Sequence, residues 1–253
     1  MDFSVVIPAR YGSTRLPGKA LIDIAGKPMV QWVYEQAQQS SASRVIVATD
    51  DDRIQSVVEG FGGVCCMTSS SHPSGTDRLQ EVAKLFDFDD DQIIVNVQGD
   101  EPLIPPSTID QVAAVMSASD VQMATLAERI SDARDFQDPN VVKVVLDANS
   151  CALYFSRAPI PWPREESEGL HAALPPEMPA LKHLGIYAYR VSMLNDYVSW
   201  EQTDLERVER LEQLRALWHG VKIHTVISQV PIPPGIDTEQ DLKRVIEMIE
   251  RVI

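Results

Sequence analysis

Cysteine is scarce: the chain of 253 residues carries three, Cys65, Cys66 and Cys151, with no C-x-x-C pair. That disfavours zinc-ribbon and disulfide frameworks, and thiols inside apolar runs read as buried structural residues. Positive charge is also short. Twenty-two Lys and Arg stand against 37 Asp and Glu, a net charge of −15. This argues against a nucleic-acid surface, whose affinity comes from neutralising phosphates with basic side chains. It does not exclude a small anionic ligand, because screening over about 8 Å lets a local basic cluster act apart from a distant acidic surface. The sequence has no apolar run of the roughly 18 residues that a membrane helix needs. Its opening, MDFSVVIPAR, lacks the basic segment and cleavage site of a secretory signal. The expectation is a cytoplasmic protein without membrane insertion, its mature form starting near Met1. Neither G-x-x-x-x-G-K-[ST] nor G-x-G-x-x-G occurs, which disfavours a P-loop ATPase and a dinucleotide enzyme.

What is present is alternation. The short β-branched runs SVVIPA (4–9), RVIVATD (44–50), GVCCMT (63–68) and QIIVNVQGD (92–100) read as buried parallel strands. Between them MVQWVYEQAQQ (29–39), DRIQSVVEGFG (52–62) and TDRLQEVAKLF (76–86) have helical spacing. Such βαβ repetition predicts a three-layer α/β fold that binds ligands beyond the carboxyl ends of its strands. From about 121 to 191 the pattern shifts to further strands, MATLA, VVKVVLD, CALYFSR and HLGIYAYR. The proline-rich stretch 162–180 reads as a long mobile loop. A helix over 208–220, a strand over 222–228 and an amphipathic helix from about Asp237 complete the pattern.

The chemistry-bearing residues cluster after those strands. PARYGSTRLPGK puts Arg10, Arg15 and Lys19 within ten residues. Gly12 and Gly18 allow tight turning, and guanidinium forks match phosphate oxygens. This is the pattern of a triphosphate loop, set against a plain solvated connection. In VNVQGDEP, Asp100 ends an apolar strand, either as a turn residue or as a carboxylate for magnesium, which takes one or two protein oxygens plus phosphate and water. Glu101 is a weaker candidate for the same role. Asp237 in PGIDTEQDL suits a metal or a helix cap equally well on chemistry alone. In MTSSSHPSGTDR, Thr68, Ser74 and Thr76 offer hydroxyls and Gly75 a bare backbone edge to a nucleobase, though the same residues make a good helix start. His183 and Tyr187 share one face of a strand with Gly185, and Glu212 and Gln213 are adjacent on a helix. Each of these four is open to a binding or a packing reading.

Together PARYGSTRLPGK, VATDD, MTSSSHPSGTDR, VNVQGDEP, NVVKVV, ALYFSR, HLGIYAYR, LEQLRALW and IDTEQDL resemble the 3-deoxy-manno-octulosonate cytidylyltransferase family, over about residues 3–245. The resemblance implies a single nucleotidyltransferase domain over 1–253, with a mixed, mainly parallel sheet and residues 121–200 as an inserted β-rich region for sugar binding and dimerisation. It implies transfer of CMP from CTP to the sugar acid Kdo for lipopolysaccharide synthesis, with Mg²⁺, in a homodimer. Arg10, Arg15 and Lys19 fall to the CTP phosphates, Thr68, Ser74, Gly75 and Gln98 to cytidine, and Asp100 with Asp237 to magnesium. Arg157, His183, Tyr187, Glu212 and Gln213 fall to the sugar acid, with Arg157 apt for its carboxylate. The rival readings are a cytidylyltransferase for 8-amino-Kdo or sialic acid, and a non-catalytic CTP sensor. Asp100 and Asp237 together speak against the sensor.

Overall fold

The computed structural model describes residues 2–12, 16–118, 120–164, 173–175 and 177–251. The four apolar runs form strands β1 (Phe3–Pro8), β4 (Arg44–Thr49), β5 (Val64–Met67) and β6 (Ile93–Asn96). They pair in parallel, β6 and β4 flanking β1, and β5 beyond β4. A small hairpin, β2 (Asp23–Ile24) and β3 (Lys27–Pro28), lies apart from this sheet. The expected helices stand between the strands as α1 (Met29–Gln38), α2 (Asp52–Gly60) and α3 (Gly75–Leu85).

Side-chain alternation along β1 builds two cores. Val5 and Ile7 pack with Val30 and Val33 of α1 on one face, whereas Val6 packs with Leu79 and Val82 of α3 on the other. Burial on both faces explains why these strands are continuously apolar. A further helix, α4 (Pro106–Val115), covers the first face through Ile109 and Val112. It begins with Pro106 in the first turn, where no backbone donor is needed, and Pro105 is its N-cap.

The strands of 121–200 join the same sheet. β7 (Met123–Arg129) and β10 (Leu181–Arg190) lie between β6 and the last strand, β11 (Ile223–Ile227), in the order β11-β7-β10-β6-β1-β4-β5. β10 runs antiparallel to both β6 and β7. The hairpin of β8 (Lys143–Leu146) and β9 (Ala152–Ser156) attaches to β10 through β8. Short helices α5 (Ala133–Gln137) and α6 (Val191–Tyr197) connect these strands.

Residues 208–220 depart from the expected single helix. They divide between α7 (Asp204–Glu209) and α8 (Gln213–Trp218), broken at Arg210, whose φ of 53° is left-handed. A buried pair, in which the Arg215 guanidinium donates to both Glu206 carboxylate oxygens at 2.8 and 2.6 Å, holds the corner. The last helix, α9 (Glu239–Glu250), packs Val245 and Ile249 against Leu16, Ile24 and Met29 in a separate small core. Of the proline-rich stretch, residues 165–172 and 176 lie outside the described residues, and so does the mobility expected of them.

Candidate active site

Beyond the carboxyl ends of β1 and β6 lies an open cleft of about 360 Å³, lined by Pro8, Arg10, Gly12, Lys19, Gly75, Gln98 and Asp100 among others. Gly18, at φ 69°, turns the loop back so that its amide donates to the Tyr11 carbonyl at 3.0 Å, and Lys19 follows in a single 3₁₀ turn. Glycine, with no Cβ, adopts that backbone conformation more readily than any other residue. Gly99 lets the two strand ends close together, since a Cβ there would stand 2.8 Å from the Pro8 carbonyl oxygen.

The Lys19 ammonium donates to Asp100 Oδ2 at 2.6 Å and to Asp237 Oδ1 at 3.0 Å. Residues more than two hundred positions apart thus meet at one point. The Ile236 amide donates to the Asp100 carbonyl at 2.8 Å and anchors the segment that carries Asp237. The cap of α9 is Thr238, whose hydroxyl accepts from the Asp241 amide, while Asp237 reaches Lys19. Two carboxylates converging on one positive charge are a fit donor set for a divalent cation that also takes phosphate and water oxygens. Behind Asp100, Glu101 is half-buried. Burial, aided by the Asp100 charge, pushes its carboxyl up to about 8.

The cleft runs inward, past Gly75 and Gln98, into a more enclosed cavity of about 240 Å³. His183, Tyr187, Glu212 and Gln213 all line it. So do residues that sequence reasoning missed, above all Asn96 and Tyr189. One signal for Asn96 was available: an amide side chain inside an otherwise apolar strand. The break at Arg210 turns Glu212 and Gln213 into the cavity, where Thr76 donates to Glu212 Oε2 at 3.0 Å. Burial pushes the Glu212 carboxyl above its ordinary range, against the Thr76 and Ser74 hydroxyls that favour the ionised form. Burial also pushes the Tyr187 phenol far up and holds the His183 imidazole down at about 3, so both are neutral near pH 7. Three buried polar atoms of the lining, Asn96 Oδ1, the Tyr187 hydroxyl and Gln213 Nε2, have no hydrogen-bond partner among the described residues. Such atoms cost free energy unless something satisfies them.

Other expected residues already have partners within the protein. The buried Thr68 hydroxyl donates to the Thr49 carbonyl at 3.1 Å and accepts from Arg78, so it braces the loop. Ser74 caps α3 and donates to Asp77 at 2.6 Å. Gln98 donates to the Gly185 carbonyl at 3.4 Å, next to both chambers. Arg10 is exposed at the cleft, with one nitrogen on the His72 carbonyl at 3.3 Å. The structure does not bring Arg157 to the cavity lining. Its guanidinium donates to the carbonyls of Glu209 at 2.7 Å and Pro139 at 2.9 Å. Arg15 lies outside the described residues.

Comparison with known proteins agrees with this geometry. Residues 4–223 match the cytidylyltransferase family. A 3-deoxy-manno-octulosonate cytidylyltransferase of Vibrio cholerae serotype O1 (strain M66-2) is 54% identical over 253 residues, 100% of this chain and 98% of the relative. Its counterpart in Pseudomonas fluorescens is 57% identical over 249 residues, 98% of each. A solved CMP:2-keto-3-deoxy-manno-octonic acid synthetase complexed with CTP superposes with a TM-score of 0.90 at 42% identity, covering 99% of this chain and 100% of the other. A nucleotidyl transferase from Methanothermobacter, 16% identical with a TM-score of 0.63, shares the fold. With its residues matched from end to end and its two-chambered cleft at the strand ends, the chain belongs to the 3-deoxy-manno-octulosonate cytidylyltransferase family.

Proposed function

We propose that this protein transfers the cytidylyl group of CTP to 3-deoxy-D-manno-octulosonate (Kdo), giving CMP-Kdo and pyrophosphate for lipopolysaccharide synthesis. The observation that carries the reading is the division of one continuous site into an outer cleft built around Lys19 and Asp100 and an inner cavity with buried polar atoms unsatisfied among the described residues, joined at Gly75 and Gln98. A triphosphate suits the first. A polyhydroxylated acid suits the second, because its hydroxyls can both donate to Asn96 Oδ1 and accept from Gln213 Nε2.

In this mechanism the anomeric hydroxyl of Kdo attacks the α-phosphorus of CTP. An oxygen–phosphorus bond forms as the bond to the departing pyrophosphate breaks, and the hydroxyl proton leaves to solvent water. Asp100 and Asp237 would hold Mg²⁺, which when bound would supply Lewis acidity and charge neutralisation at the phosphates. With those carboxylates so engaged, the Lys19 ammonium turns to the triphosphate, joined by Arg10 and Arg15. Gly75 and Gln98 border the cytidine, with Thr68 and Ser74 shaping the loop beneath it. His183, Tyr187, Glu212 and Gln213 orient the sugar, and Arg157 approaches its carboxylate if the 157–164 segment shifts inward. Positioning and charge neutralisation carry the rate, since phosphoryl-type transfer asks little covalent chemistry of the protein. The enzyme works as a cytoplasmic homodimer, with residues 121–200 contributing both sugar site and interface.

Pyrophosphate release from CTP and Mg²⁺ tests the reading. Release with Kdo, and none with sialic acid or 8-amino-Kdo, is expected. CTP binding without turnover on any of the three acids would leave a sensor.

A further inference from the structure

Thr125 lies on β7 beneath the inner cavity and is fully buried. Its hydroxyl oxygen is 2.8 Å from the Ile186 carbonyl oxygen, 3.2 Å from that of Leu184 and 3.1 Å from His183 Nε2. The pairing of β7 with β10 shifts register between Leu184 and Tyr187, so this one hydroxyl fills the irregularity beside Gly185. A hydroxyl has a single proton to donate. Both carbonyls can only accept, so that proton goes to one of them, and the shorter distance selects Ile186. The remaining partner, His183 Nε2, must then be the donor. Were Nε2 bare, the Thr125 proton would have to turn to it, leaving the hydroxyl lone pairs facing two carbonyl oxygens in a buried site.

We propose that Thr125 is a positioning residue that fixes His183 in the Nε2–H tautomer, so that Nδ1 faces substrate as a hydrogen-bond acceptor. The imidazole is neutral by burial and carries only this one N–H. His183 lines the cavity, and Nδ1 is the ring atom not engaged by Thr125. The Phe155 ring meets the imidazole edge-on at 5.1 Å and the Tyr187 ring lies at 5.2 Å, limiting rotation of the ring plane. The cavity thus presents acceptors at His183 Nδ1 and Asn96 Oδ1 and a donor at Gln213 Nε2, a pattern that reads hydroxyl direction as well as shape. A ligand that can only accept at the His183 position is rejected.

The tautomer stands independently of substrate identity; only the assignment of the hydrogen-bonded ligand rests on the sugar-acid reading. Long-range ¹H–¹⁵N spectra of the ¹⁵N-histidine-labelled protein without ligand should give His183 a pyridine-like Nδ1 and a pyrrole-like Nε2. The reverse assignment overturns the proposal, whatever the protein acts on. Thr125→Val should populate the other tautomer and raise KM for Kdo about tenfold, the equivalent of one hydrogen bond, with KM for CTP unchanged. Thr125→Ser, which restores the hydroxyl, should return both the spectrum and KM. A wild-type spectrum and KM in Thr125→Val, or equal loss for Kdo and CTP, would make Thr125 a packing residue only. Absence of wild-type turnover with Kdo would instead fault the functional reading and leave the spectral test standing.

Discussion

The two chambers are built on opposite principles. The outer cleft works with full charges at its mouth, where Lys19, Asp100 and Asp237 meet and the carboxylates keep about a third to a half of their surface exposed. The inner cavity is more enclosed and sets His183 and Tyr187, both held uncharged by burial, beside Glu212 and Arg210. Charge in the open is tolerant of geometry and suits a flexible triphosphate that arrives with its own cation. Neutral hydrogen-bonding groups, buried and unsatisfied, are intolerant of mismatch and suit selection among similar sugars. On the proposed function, specificity and rate are divided in space, and substitutions can separate them.

The largest expected effect is at the outer cleft. Asp100→Ala should lower kcat on the order of 10³-fold while leaving thermal unfolding nearly unchanged; near-normal turnover at saturating magnesium would remove the carboxylate from the mechanism. Lys19→Ala comes next, with a loss on the order of 10²-fold in kcat if the ammonium stabilises charge moving to the leaving group. An unchanged rate would make the loop a simple connection.

Glu101 tests how far charge governs this end of the site. Its unfolded carboxyl titrates near 4.3, whereas the folded one is held at about 8 by burial, with help from Asp100. Across that window the native chain keeps a proton that the unfolded chain has lost. Stability therefore falls as pH rises, and the deficit is complete above about pH 8. Glu101→Gln should accordingly stabilise by about 2 kcal/mol at pH 9, after allowance for partial exposure, and hardly at all at pH 4. Urea unfolding at both pH values checks this, and an equal change at the two would refute the shifted titration.

The smallest effect belongs to the inner cavity. Tyr187→Phe deletes a buried hydroxyl that has no partner among the described residues, so stability should stay within about 1 kcal/mol of the parent or rise. KM for Kdo should increase roughly tenfold or less with that for CTP unmoved. Equal changes in both constants would erase the distinction between the chambers.

The outer cleft was far more legible in the sequence than the inner one. Arg10, Lys19 and Asp100 follow apolar strands, and a strand followed by charge and glycine advertises its role. The parallel half of the sheet read well for the same reason: β1 is buried on both faces and carries an unmistakable apolar run. The inner cavity depends on events without local cues. The corner between α7 and α8 turns at Arg210 rather than at a glycine or proline, so one helix was expected where two stand, and the turn that aims Glu212 inward was invisible. Thr125 on β7 resembles any buried threonine until the irregularity in β10 gives its hydroxyl three neighbours. Arg157 shows the converse. Its type suits a carboxylate, yet the Glu209 and Pro139 carbonyls hold it, and tertiary neighbours alone decide that.

The Lys19–Asp237 contact also bears on truncation. The two residues stand 218 positions apart, and the small core behind them joins Leu16, Ile24 and Met29 to Ile236, Val245 and Ile249. A chain cut before Ile236 would lose one of the two carboxylates on Lys19 together with the apolar side chains that cover Leu16, so the opening loop owes its footing to residues far from it in sequence.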